Sequence, residues 1–103
     1  MLIYHVVLPS VWAKFDGMPS YQAKSLSTEG FIHCSYANQL EGVLKRYYAD
    51  AATVVILSLD TGKLESKLVE EPSTNNEVYP HIYGTINRTA IVGVEERCLE
   101  SRL

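Results

Sequence analysis

Cysteine is scarce in this chain. There are two, Cys34 and Cys98, far apart, with no CxxC pair and no metal-ligand spacing. Positive charge is also short: the formal net charge is −3. A domain that grips phosphate backbones is normally basic, so nucleic acid is not an expected partner. No apolar run approaches the roughly 20 residues that span a bilayer, and no membrane partner is expected. The N-terminal MLIYHVVLPSVW lacks a basic n-region and meets Pro9 early, so it reads as a first strand and not a signal peptide. A cytoplasmic location is the expectation. Without an export signal, the sequon Asn87-Arg88-Thr89 carries no weight. Repeats and linkers are absent too.

What is present suits one small domain. The chain has 103 residues and 47% of them are apolar, enough for a single core without covalent staples. One domain over 1–103 is expected, with its core at about 2–96. Leu2 to Leu8 is an apolar, β-branched strand whose period of two sets Ile3, His5 and Val7 on one face. Ser10 to Phe15 reads as a short helix. Pro19 to Gly30 reads as a short strand at Tyr21 to Ala23 and then a loop, with Gly30 freeing the backbone to enter the next strand. In that strand, Phe31 to Ser35, the residues Phe31, His33 and Ser35 share one side and Ile32 and Cys34 the other. Tyr36, Ala37, Leu40, Val43, Leu44, Tyr47 and Tyr48 follow helical spacing, with Ser35 placed as the N-cap. Strands follow at Thr53 to Leu59, the central one, and at Lys67 to Glu71. A polar loop at Ser73 to Glu77 separates them from YPHIYG and from a last strand at Ala90 to Glu95. The sum is an α+β fold with two helices near the N-terminal half.

The three histidines, His5, His33 and His81, all sit in apolar, strand-like segments. A buried imidazole needs a partner for each nitrogen that loses water, so such positions mark either a shared site or separate structural solutions. A three-histidine zinc site lacks the usual short ligand spacing. A His33–Cys34 pair fails because neighbouring strand residues face opposite ways; Cys34 reads as a small core residue. A Ser35–His33 pair shares a face, yet Ser35 is better explained as the helix cap. The fourth reading is a pocket in which histidines hydrogen-bond a sugar or nucleotide. Seven tyrosines suit it. Tyr4, Tyr36, Tyr47 and Tyr48 read as core or helix-face residues, while Tyr79 and Tyr83 flank His81 and can stack on a flat ring. Glu29, Glu70, Glu71 and Glu77 are the carboxylates placed to act as a general base.

IYH, TEGFIHCS, the following helix with Gln39, the Glu71-Pro72 pair and YPHIYG together closely resemble Domain of Unknown Function 952, over about Ile3 to Val94. That family in turn resembles a compact member of the ADP-ribosyltransferase fold, which binds NAD between the halves of a split sheet. The resemblance implies a small split mixed or antiparallel sheet. It implies His5 as the ribose-bonding histidine of the first motif. FIHCS resembles the His-x-His-x-Ser segment of the RNA 2′-phosphotransferase branch, giving His33 the second-motif role and Ser35 the serine before the helix. The third motif, commonly a glutamate, falls at His81, with Tyr83 on the far wall. The implied catalytic residues are His33, His5 and His81, and the implied nucleotide-binding residues are His5, His33, Ser35 and Tyr83. The implied activity is cleavage or transfer at the glycosidic carbon of NAD or an ADP-ribose-bearing nucleotide. Without the glutamate, a developing cation loses its stabilising charge. A non-catalytic nucleotide-binding module and a small scaffold protein with structural histidines therefore remain the alternatives.

Overall fold

The computed structural model describes residues 1–99. Three antiparallel sheets organise it. The first sheet runs β1 (Leu2–Val7), β4 (Thr53–Asp60), β8 (Ile91–Cys98), with β4 central as its apolar run predicts. The second runs β3 (Ile32–His33), β6 (Val78–Tyr83), β5 (Lys67–Pro72), and the short pair is β2 (Ser20–Tyr21) with β7 (Ile86–Asn87). Helices are α1 (Pro9–Trp12), α2 (Lys24–Glu29) and α3 (Leu40–Tyr47). The fold is mostly antiparallel α+β. No helix among the described residues is long and apolar enough to cross a membrane.

Strand alternation divides the core in two. On β4, Val55, Leu57 and Leu59 face one cluster, and Val54 and Ile56 face the other. The first cluster adds Ile3 and Val7 from β1, Tyr21, Ile32, Cys34, Ile82 and Ile86, and joins the sheets face to face. Cys34 is buried there, as expected, and burial pushes its thiol pKa up, which makes it an inert packing group. The second cluster seats Leu40 and Leu44 of α3 beneath the first sheet. Leu44 is fully buried, and truncating such a residue to alanine costs about 2–5 kcal/mol.

Several local expectations are corrected. Residues 24–29 form a helix, not a loop. Its sequence, KSLSTE, offers a single large apolar residue, Leu26, so no helical stripe announced it. Gly30 closes that helix: at φ +92° its N–H reaches the carbonyls of Ser25 and Leu26. Ser35 is not the N-cap of the next helix. Its backbone exchanges two 2.8 Å hydrogen bonds with Tyr4. The helix opens instead with a 3₁₀ turn over Ala37–Gln39, and the Gln39 Oε1 accepts from the Tyr36 N–H at 3.0 Å. Tyr47, read as a core or helix-face residue, is the latter: it ends α3 and stands 60% exposed.

These corrections explain TEGFIHCS. Ile32 and His33 pair with β6, and the Cys34 N–H still donates to Pro80 O. Ser35 has already crossed to β1. The segment stitches one sheet to the other, and the crossing leaves an opening beside His33.

Candidate functional site

That opening is a cleft of about 610 Å³, within the roughly 300–1,000 Å³ range of small-molecule sites. β1 supplies His5 and Val7 to it, the crossing segment supplies His33 and Ser35, and α2 supplies Glu29. Tyr47 of α3 and Tyr48 just after it form one wall. Opposite them stand Ser73 and Thr74, in the turn between β5 and β6, and Tyr79. The turn is tight: Asn75 and Asn76 both take positive φ, which asparagine tolerates better than most residues. Tyr47 and Thr74 hydroxyls meet at 2.7 Å across the mouth. Arg46 donates to the Tyr79 hydroxyl at 2.7 Å and lies over the Tyr47 ring. It makes no ion pair among the described residues.

His5 is at the floor, and both its nitrogens are used within the protein. A carbonyl only accepts, so Nδ1–H donates to His33 O at 2.7 Å. Nε2 then accepts from the Tyr21 hydroxyl at 2.8 Å. Burial lowers the His5 pKa to about 4, so the ring is neutral at pH 7. Tyr21 is buried against Trp12 and Phe15, and its phenol pKa is raised by the same loss of water.

His33 behaves differently. Its side chain is 48% exposed, and Nε2–H donates to Glu29 Oε1 at 3.1 Å. The geometry is local in origin. Glu29 ends α2, Gly30 reverses the chain, and His33 comes back alongside. A carboxylate and an imidazole thus share the cleft wall.

His81 and Tyr83 do not line the cleft. His81 sits directly across the β3–β6 ladder from His33. Its ring stacks on Phe31 at 4.2 Å and meets the His33 ring edge-on at 5.3 Å. Nδ1–H donates to Glu71 Oε1 at 2.8 Å, and the Tyr83 hydroxyl donates to the same oxygen. Those two bonds, Tyr83 first and His81 second, hold the Glu71 carboxyl below its ordinary pKa, and the carboxylate raises that of Tyr83. His81 Nε2 is buried and has no partner among the described residues. A buried acceptor left so costs about 1–3 kcal/mol. Among the described residues, no group of three or more histidine, cysteine and carboxylate side chains is arranged to hold a metal ion.

The structure therefore brings His5, His33 and Ser35 into one cleft and sets His81 and Tyr83 behind His33. Sequence reasoning passed over Tyr21 as the partner of His5, and Tyr47 and Thr74 as walls. Tyr47 carried a usable signal: it ends the helical run, where a side chain can overhang the apolar face.

The arrangement defines a small antiparallel α+β protein with an open cleft walled by tyrosine and floored by histidine. The chain belongs to the family described as protein of unknown function (DUF952), whose model matches residues 6–94. Its fold is similar to that of protein CC0527 from Caulobacter crescentus. The crystal structure of that protein aligns with a TM-score of 0.83 at 21% identity, covering 93% of this chain and 85% of that one. Its solution NMR structure aligns with a TM-score of 0.83 at 20% identity, covering 98% and 88%. At such identity the likeness shows the fold alone. No curated protein sequence matches the chain.

Proposed function

We propose that the cleft binds a ribonucleotide-type ligand, NAD or an ADP-ribose-bearing molecule, and that the His33–Glu29 pair acts at its glycosidic carbon. The observation that carries this reading is the Glu29 carboxylate, held by His33 in the cleft wall. The family resemblance left a gap where a glutamate is commonly found, and His81 fills that place in sequence. Glu29 offers the missing negative charge from the helix before the strand. As the bond from the sugar carbon to the base breaks, both electrons leave with the base. The Glu29 carboxylate then stabilises the cationic carbon, and water or an acceptor adds there and gives up its proton to the second ring nitrogen of His33. Tyr47 and Tyr48 suit a flat base, and Arg46, which lies over the Tyr47 ring and bonds the Tyr79 hydroxyl, brings a cation beside these walls that suits a phosphate.

A second reading is a binding module without turnover. It is favoured by His5, whose nitrogens are both engaged inside the protein and are not offered to a ligand. One experiment separates them. The labelled protein is titrated with NAD and with ADP-ribose by two-dimensional NMR, and nicotinamide is followed in the same tube. Shifts at Glu29, His33, Tyr47 and Thr74 with nicotinamide released are the expected result. Shifts without product select the binding module. No shifts at millimolar ligand overturn both.

A further inference from the structure

His81 presents a buried ring nitrogen with nothing bonded to it, and buried polar atoms are rarely left that way. Its orientation is not free. Glu71 takes the Nδ1–H, so the neutral ring keeps its lone pair on Nε2. Phe31 lies flat against one face of the ring. In that form the nitrogen is an acceptor, in the tautomer that Glu71 selects.

A donor stands next to it. The His33 and His81 ring centroids are 5.3 Å apart, with the planes at 80°. Each imidazole nitrogen lies roughly 1.1 Å from its centroid, so nitrogens turned toward each other at that spacing are about 3.1 Å apart, within hydrogen-bond range. His33 carries its proton on Nε2, since Glu29 accepts from it. Its backbone is fixed by the ladder to β6 and by the bond from His5 to its carbonyl. Its ring is half exposed and borders Phe31 at 4.9 Å, which leaves rotation of the ring as the available motion. The His33 N–H thus has one acceptor in place, the Glu29 carboxylate, and the ring spacing is short enough for a second, His81 Nε2, on rotation of the ring.

We infer that His81, oriented by Glu71, is a positioning residue for His33: its free Nε2 receives the His33 N–H when a ligand in the cleft engages Glu29. This rests on the reading of the cleft as a ligand site, and it gives that site two settings. With Glu29 free, His33 is turned toward the carboxylate. With Glu29 occupied, His33 is anchored from behind by the Glu71–His81 pair, and its remaining ring nitrogen is held in a defined direction. The device also accounts for the three groups that the cleft itself does not use, Glu71, His81 and Tyr83, as a hydrogen-bonded set that fixes the His81 tautomer.

The test reads histidine ring nitrogens by long-range proton–nitrogen NMR at one neutral pH, in the wild type and in Glu29→Ala, with amide spectra as the folding control. Glu29→Ala removes the competing acceptor without any ligand. The expected result is that His81 Nε2 has the signal of an unbonded nitrogen in the wild type and moves toward that of a bonded one in the variant. NAD added to the wild type is expected to move it the same way. An Nε2 signal that is the same in the wild type and Glu29→Ala overturns the inference, whether it is that of a free nitrogen or of one bonded to a fixed water. If NAD binds and Nε2 does not move, the inference falls and the cleft reading stands. If NAD does not bind but Glu29→Ala moves Nε2, the paired setting of His33 stands and the nucleotide reading falls.

Discussion

His5 Nδ1 lies 2.7 Å from the carbonyl oxygen of His33, and this bond ties the floor of the cleft to the wall that carries His33. The two residues belong to different sheets. A neutral imidazole bridges them because it donates on one side and accepts on the other, and Tyr21 supplies the second bond. His5 therefore serves the cleft by holding the His33 backbone, while the His33 ring is left to face the opening.

Acid should weaken this bridge. The folded pKa of His5 is lowered to about 4, against 6.5 for the free side chain. Between those values the unfolded chain binds the proton and the folded one does not, so stability falls as pH drops from 6.5 toward 4. The full loss is about 3 kcal/mol, at roughly 1.4 kcal/mol per unit. Glu71, whose pKa is lowered, loses its contribution as pH falls through the ordinary carboxylate range and below, so its window opens where that of His5 is ending. Urea unfolding at a series of pH values is the measurement. His5→Gln should be less stable at neutral pH and should flatten the slope between about pH 4 and 6.5.

Tyr21→Phe probes the other half of the bridge. It keeps the ring packed against Trp12 and Phe15 and deletes the hydroxyl that donates to His5 Nε2. A loss of about 1–2 kcal/mol in urea is expected, since a buried acceptor is left without its donor. The His5 ring should also become easier to protonate, because the donor that held its Nε2 lone pair is gone, so the acid midpoint moves up. An unchanged midpoint and stability together would mean that the hydroxyl is replaceable by water.

The sequence made His5 and His33 conspicuous because an ionisable ring inside an apolar, alternating run is unusual, and that contrast survives folding. It also displayed the central strand at Thr53 to Leu59 and the face shared by Ile3 and Val7. Helix α2 was hidden because six mostly polar residues carry no periodic stripe; what defines it is the left-handed Gly30 after it, a signal that also fits a strand entry. Ser35 looked like a cap because serine often is one, but a backbone exchange with Tyr4 from a distant strand claimed it. The bond from Glu71 to His81 runs diagonally across the β5–β6 ladder, where Val69 is the direct partner of His81. Such pairings depend on a register that composition and spacing do not encode.

Gly84→Ala should destabilise for a steric reason that can be isolated. Gly84 has φ +157°, and a Cβ there would stand 2.8 Å from the Ser66 Cβ. A cost of about 1–3 kcal/mol is expected from overpacking. Ser66→Gly in the same chain should recover the part due to the clash and leave the backbone part. Thermal or urea unfolding of the single and double variants reads both, and no recovery in the double variant would place the whole cost in the backbone.

Tyr47→Ala and Glu29→Gln should separate holding a ligand from acting on it. Tyr47 is exposed and spans the mouth to Thr74, so its loss should change stability by no more than about 0.5 kcal/mol. A stacking contact is worth about 0.5–1.5 kcal/mol, so NAD affinity should fall roughly 2- to 10-fold. Glu29→Gln keeps an acceptor for His33 and removes the negative charge. Binding should then be nearly retained while nicotinamide release drops by about 100-fold or more, the scale on which a preorganised charge acts in a transition state. Isothermal titration gives the affinities and product assays the rates. If both variants lower affinity alike and no turnover is seen in the wild type, the Glu29–His33 pair belongs to recognition, and the cleft is that of a binding module.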